Sequence, residues 1–249
     1  MHFRVDDAAR LLVEARRQGR LVEPFMPGPP RPEDAYAVQD AVARHLGAVA
    51  GWKVGAKGPN ETPSAAPLLA DLIRPSPATW PSDALHMIGI EAEIAFRIGR
   101  DIEPRSEPLD EEEVCRAVES VHAAIEIVDT RLMGWADADR LWVLADNQSN
   151  GGFVYDPDGI AWRNQDFSDA SVCLSINDRT IMERRGGNPS GDPRWLLRWL
   201  LGHCVQHRGG LRAGMLVTTG SYTGMTFIDP GASVEATFHG IGTAKVSFL

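Results

Sequence analysis

Residues 90–96 read Ile90-Glu91-Ala92-Glu93-Ile94-Ala95-Phe96, within a longer alternating run from Ile88 to Ile98. In a β-strand, side chains at i and i+2 leave on the same face. Ile90, Ala92, Ile94 and Phe96 therefore enter a core, while Glu91 and Glu93 share the opposite face. Two carboxylates placed about 7 Å apart along a strand repel unless a cation lies between them. A hard divalent cation meets that need, because carboxylate oxygens suit Mg²⁺ or Mn²⁺. A solvated strand face carries the same spacing, so the pair alone does not decide between the two.

Downstream, the spacing predicts a helix over Asp110–Ser120 with the acidic first turn Glu111-Glu112-Glu113, then a buried strand over Ala123–Val128. Glu126 is a lone acid inside that apolar run. A buried carboxylate is costly unless it is paired or metal-bound, and Lys53 or Arg131 are alternative partners. Asp129 at the strand edge is a further partner for Arg131. Upstream, Trp52-Lys53-Val54-Gly55 is a short strand. Burial would lower the Lys53 pKa and suit it to proton transfer or carboxylate binding; an edge-strand lysine in water is the plainer alternative. Lys57–Pro67, rich in Gly, Pro, Asn and Ser, reads as a mobile loop.

The flanks complete an α+β pattern. Ala8–Arg17 and Pro32–Ala48 read as helices, joined through an extended connector, Pro24–Pro32, that holds five prolines. From Val172 onward the chain is strand-rich. Val172, Leu174 and Ile176 alternate, Asn177-Asp178 turns, and Thr180-Ile181-Met182 returns. Pro193–Gln206 is a helix, Met215–Thr219 a strand, and residues 234–248 a hairpin turning at Gly240-Ile241-Gly242. The expectation is a helical N-terminal region over residues 1–50 and, over 51–249, an α+β domain with a mixed, strongly bent sheet.

A net charge of −9 repels phosphate backbones and argues against nucleic acid. The three cysteines, Cys115, Cys173 and Cys204, form no CxxC and no disulfide framework. Neither a signal peptide nor a membrane-spanning apolar run is legible, which makes the cytoplasm the expected location. Two polar, glycine-bearing stretches are candidates for holding a substrate: Asp146-Asn147-Gln148-Ser149-Asn150-Gly151-Gly152, which is equally a plain turn, and Thr218-Thr219-Gly220-Ser221-Tyr222-Thr223-Gly224. His203 and His207 stand four apart on a helix, but Cys204 occupies the place of the HExxH glutamate, so zinc is not expected there.

Taken in order, Asp34-Ala35-Tyr36-Ala37-Val38-Gln39, Gly51-Trp52-Lys53-Val54-Gly55, Leu69-Ala70-Asp71, the Glu91/Glu93 strand, Ala124–Val128, Ala145-Asp146-Asn147, Leu211–Gly214, Thr219-Gly220-Ser221 and Gly240-Ile241-Gly242 resemble the 2-keto-4-pentenoate hydratase group of the fumarylacetoacetate hydrolase superfamily. Oxalocrotonate decarboxylases and 2-oxohept-3-enedioate hydratases belong to the same group. The resemblance implies a fumarylacetoacetase-type, barrel-like mixed β core and one Mg²⁺ or Mn²⁺ held by Glu91, Glu93 and Glu126. It implies that Lys53 and Asp71 are catalytic, with Asp146, Asn147, Gly220 and Ser221 at the substrate. It further implies a hydratase that adds water to a 2-hydroxydienoate or 2-oxo-alkenoate through a metal-stabilised enolate. A 2-oxo-diacid decarboxylase, an acylpyruvate hydrolase and a non-catalytic partner subunit are the alternatives. Homo-oligomers, and association with an enzyme of the same pathway, are the partners it implies. The chain departs from the pattern over Ala56–Pro63, where hydratases commonly carry a Thr-Ser segment, and at Ala232, which stands where the family typically has Asp.

Overall fold

Two amphipathic helices open the chain. The computed structural model describes residues 2–24 and 27–249. The helices are α1 (Val5–Gln18) and α2 (Pro32–Leu46), the second carrying proline in its first turn and Glu33 and Asp34 where the helix dipole favours acids. Phe25 and Met26 of the proline-rich connector lie outside the described residues. The strands that follow are β1 (Val49–Gly55), β2 (Ser64–Leu69), β3 (Ile73–Pro75), β4 (Ala78–Trp80) and β5 (Gly89–Ile98). Next come α3 (Glu111–Ala117), β6 (Val118–Val128), α4 (Arg140–Ala145), β7 (Asn150–Tyr155), β8 (Ser171–Ile176), β9 (Arg179–Arg185) and α5 (Arg194–His207). The chain closes with β10 (Leu216–Ser221), β11 (Thr226–Phe227), β12 (Ser233–Phe238) and β13 (Gly242–Phe248).

The strands form two mixed sheets. The larger runs β2-β1-β10-β5-β6-β7-β3, with β11 added beside β5; the smaller runs β4-β13-β12-β8-β9. The α+β class expected from the sequence is present. The barrel-like core is not: among the described residues the large sheet ends at β2 and β3, and the small one at β4 and β9. The reason is local pairing. Residues 171–185 and 233–248 hairpin onto each other and so build a separate sheet instead of extending the first. Ile90, Ala92, Ile94 and Phe96 from one sheet and Val172, Leu174, Val234, Ala236 and Phe238 from the other fill one apolar core. Among the described residues, no helix is long and apolar enough to cross a membrane.

Three boundaries differ from the sequence reading. The loop expected over Lys57–Pro67 is shorter, because Ser64–Leu69 pairs antiparallel with β1. Pro67 is tolerated there since β2 is the outermost strand of its sheet. The helix expected to reach Ser120 stops at Ala117, where Val118 enters the ladder opposite Ile98. Its start is fixed by a capping box: the Asp110 carboxylate accepts from Glu113 N–H at 2.7 Å and the Glu113 carboxylate from Asp110 N–H at 3.0 Å. The expected division at residue 50 falls inside β1. The N-terminal helices also share a core with Leu132, Trp142, Leu144 and Ala145 from the later chain.

Candidate active site

The alternation around Glu91 places Ile90, Ala92, Ile94 and Phe96 in the core and directs Glu91 and Glu93 to the other face of β5. In the β5–β6 register Glu91 lies opposite Glu126. Like charges opposite each other across a ladder are destabilising, and here a third carboxylate joins them. Oxygens of Glu91, Glu93 and Glu126 all lie within 4.8 Å of one another. Glu93 and Glu126 are buried, at 2% and 0% exposure. Burial and then Glu126 push the Glu91 carboxyl up to about 7. Burial, followed by repulsion from Glu126 and Glu91, also holds Glu93 above the usual carboxylate range.

The neighbouring strands supply partial compensation. Lys53 of β1 reaches across the sheet, its Nζ donating to Glu126 Oε1 at 2.5 Å and to the Gln148 carbonyl at 3.2 Å. Burial alone would lower this lysine's pKa, as the sequence reading supposed. The combined attraction of Glu126, Glu91 and Glu93, with the hydrogen bond to Glu126, outweighs it and raises the pKa instead. In the cation-free protein Lys53 is thus held as an ammonium. Thr218 of β10 donates to Glu93, and Asn150 of β7 donates to Glu126 Oε1 at 2.9 Å. Among the described residues, Glu126 Oε2 is buried with no hydrogen-bond partner. Three carboxylates facing one ammonium, with a buried oxygen unpaired, form a donor set that fits a hard divalent cation.

The cluster opens into a cavity of about 410 Å³. Lys53, Glu91, Glu93, Glu126, Gly220 and Ser221 line it, so the structure brings together six of the residues singled out in the sequence. Three others are placed elsewhere. Asp71 is exposed on a 3-10 turn, Ala70–Leu72, beyond the edge of the sheet, and does not line the cavity. Asp146 is buried against Arg131, whose Nε donates to Asp146 Oδ1 at 2.6 Å and whose backbone N–H donates to Oδ2 at 3.0 Å. Asn147 is buried beside it, outside the cavity lining. The Ser221 hydroxyl turns back on its own loop, donating to the Gly224 carbonyl at 3.2 Å.

Sequence reasoning missed Gln148, Arg184, Asn188 and Ser190, all of which line the cavity. Gln148 lay within the polar stretch already noted. Its direction depends on three consecutive left-handed residues, Asn147, Gln148 and Ser149, with φ of 51°, 49° and 58°. Such conformations cost non-glycine residues roughly 1–2 kcal/mol each, and this turn is what brings the Gln148 carbonyl onto Lys53. Asn188 anchors the loop after β9, donating to the Thr219 and Gly220 carbonyls at 2.9 and 3.3 Å. On α5, His203 stacks on Trp199 with ring centroids 5.0 Å apart. Burial, then Arg208 and His207, lowers the His203 pKa to about 4.

Comparison with known proteins places this geometry in context. Residues 36–248 match the family model for the fumarylacetoacetate (FAA) hydrolase C-terminal region. The 2-keto-4-pentenoate hydratase of Paraburkholderia xenovorans (strain LB400) is 30% identical over 257 residues, covering 98% of this chain and 94% of that protein. A 4-oxalocrotonate decarboxylase of Pseudomonas sp is 29% identical over 160 residues, covering 64% of this chain and 59% of that protein. The solved 4-oxalocrotonate decarboxylase from Pseudomonas putida G7, complexed with magnesium and adipate, shares the fold. Its TM-score is 0.82 at 22% identity, over 98% of this chain and 97% of that one.

Proposed function

The chain belongs to the fumarylacetoacetate hydrolase family, and from that premise we propose that it is a divalent-cation-dependent hydratase of a small 2-hydroxydienoate or 2-oxo-alkenoate. The observation that carries the reading is the Glu91–Glu93–Glu126 cluster that lines the cavity, with a buried Glu126 oxygen that has no partner among the described residues. Full-length similarity at 30% identity to a protein named 2-keto-4-pentenoate hydratase supports the same reading.

Glu91, Glu93 and Glu126 would hold Mg²⁺ or Mn²⁺, which when bound acts as a Lewis acid toward the oxygens of a 2-oxo acid. Lys53 serves the reaction as a fixed ammonium. Two of its three N–H donors are committed, to Glu126 and to the Gln148 carbonyl; the third is available to an anionic substrate oxygen or to deliver a proton. Asn150 and Thr218 hold Glu126 and Glu93 in place by donating to them. In the proposed reaction, 2-hydroxypenta-2,4-dienoate first gains a proton at C5 and loses the 2-hydroxyl proton, which gives 2-oxopent-3-enoate; water then adds its oxygen to C4 across the C3–C4 double bond while C3 takes a proton, and the product is 4-hydroxy-2-oxopentanoate. The test is loss of dienol ultraviolet absorbance, with CO₂ followed in parallel, in Mg²⁺, Mn²⁺ or EDTA. Cation-dependent loss without CO₂ supports the hydratase. Cation-dependent CO₂ release from a 2-oxohexenedioate makes it a decarboxylase. No reaction of either acid in the cation-loaded protein overturns both.

A further inference from the structure

We propose that Arg184, an exposed residue that lines the cavity, forms a second anion subsite there and selects 2-oxo acids bearing a carboxylate at the far end of the chain. This rests on the oxo-acid reading above and narrows its substrate class to diacids, so that the five-carbon monoacid of the reaction written above is a weaker ligand than a counterpart carrying a terminal carboxylate.

The position of Arg184 follows from strand register. Arg184 lies opposite Val172 in the β8–β9 ladder, and Met182 lies opposite Leu174. Residues directly opposite in an antiparallel pair share a face. Val172 and Leu174 are fully buried, so Arg184 leaves β9 on the core-facing side, whereas Glu183 and Arg185 leave on the other. At the end of an edge strand that core-facing side gives onto the cavity, which Arg184 lines together with Gly187, Asn188 and Ser190.

The following loop is shaped to let the guanidinium lie there. Gly187 has φ +112°, and a Cβ at that position would come within 2.6 Å of Arg184 Nε and 2.7 Å of its Cζ. The guanidinium therefore lies against bare backbone. The loop itself is pinned by Asn188 to the Thr219 and Gly220 carbonyls, so the surface beneath the guanidinium is fixed.

The charges in the cavity separate the two cations by role. Lys53 is committed to Glu126. Among the described residues, Arg184 has no carboxylate within ion-pair distance, although its sequence neighbour Arg185 pairs with Asp169. An unpaired guanidinium lining a substrate cavity is a forked donor matched to a carboxylate. In the proposed reading the 2-oxo acid end is taken at Glu91, Glu93 and Glu126; among the described residues none of these lies within ion-pair distance of Arg184, so the group that meets Arg184 is a different part of the substrate.

The experiment is calorimetric titration of the Mg²⁺-loaded protein with two unreactive probes, 2-oxoadipate and 2-oxohexanoate. They match in chain length and differ only in the terminal carboxylate. Wild type is expected to bind 2-oxoadipate about tenfold tighter or better, the discrimination that a charge-assisted pair supports at an exposed site. In Arg184→Gln that ratio collapses toward one, and Arg184→Lys keeps part of it. A wild-type ratio near one, or a ratio unchanged in Arg184→Gln, overturns the subsite. Failure of wild type to bind either probe, with circular dichroism showing an intact fold, overturns the oxo-acid reading itself and the subsite with it. The two failures are thus told apart.

Discussion

Two buried charge clusters meet at Asn150, the first residue of β7, and differ in one respect. Around Arg131 the account closes. The guanidinium meets the Asp146 carboxylate at 2.6 Å, the Asp146 carbonyl and the Asn150 carbonyl at 3.0 Å, and Asp129 at 3.6 Å. Asp129 in turn accepts the His86 and Met87 N–H groups at 2.9 and 3.1 Å. Around Glu126 it stays open, with three carboxylates, one ammonium and a buried oxygen unpaired. A buried charge that is fully partnered ties the structure together. One left short of partners is poised for a ligand. Asn150 joins the two clusters, its carbonyl accepting from Arg131 and Arg16 while its amide donates to Glu126.

The contrast makes opposite forecasts for single substitutions. Glu93→Gln should have the largest effect on function, lowering turnover by about a thousandfold or more, because a ligand of the Lewis-acidic centre is lost. It should also abolish the stabilisation by Mg²⁺, read as a rise in melting temperature and worth about 2.7 kcal/mol in the wild type at a hundredfold excess over Kd. Its cation-free stability should not fall, since glutamine keeps an acceptor for Thr218 and removes a like charge. A cation-free variant clearly less stable than wild type, or one that still responds to Mg²⁺, breaks the comparison. Arg131→Ala should do the reverse. It leaves Asp146 buried without its partner and costs roughly 3–5 kcal/mol in urea unfolding, while whatever protein remains folded still binds the cation. A cost below about 1 kcal/mol would show that the closed cluster is not structural.

The smallest effect is the pH response of the cation-free protein. The folded-state pKa of Glu91, about 7, is raised above its ordinary 4.5. Between these values the folded state binds more protons than the unfolded chain. The contribution of Glu91 to stability is therefore intact below about pH 4.5 and is lost as pH rises to about 7, at most roughly 3 kcal/mol at 1.36 per pKa unit. Cation affinity should climb over the same interval, because ligands must be deprotonated. Urea unfolding in EDTA across pH 4.5–8 measures the first and titration calorimetry the second. A cation-free stability that rises with pH would refute the crowded-carboxylate picture.

Asp146 and Glu126 show how far a sequence can be read. Both are acids beside apolar runs, and both were candidates for the site. What separates them is Arg131, three residues past the end of β6, which closes on Asp146, whereas among the described residues Glu126 receives only Lys53 and Asn150. No spacing rule distinguishes those outcomes, since each depends on which strands lie side by side. Asp71 illustrates the same limit: its motif was legible, but the turn that carries it leaves the side chain exposed and outside the cavity lining.

The sequence by itself determined the strands that carry Lys53, Glu91, Glu93 and Glu126, and the shared face of Glu91 and Glu93. Period-two alternation is a local property of the extended backbone, legible without knowing any partner. It also determined the two N-terminal helices and the hairpins at Asn177-Asp178 and Gly240–Gly242. Only the tertiary structure decided that Glu126 meets Glu91 across a ladder, that two open sheets form instead of a barrel, that Lys53 stays charged, and that Gln148 and Arg184 reach the cavity. Those results depend on register, on three left-handed residues in a row and on the balance between burial and neighbouring charge, all set by contacts between segments far apart in the chain.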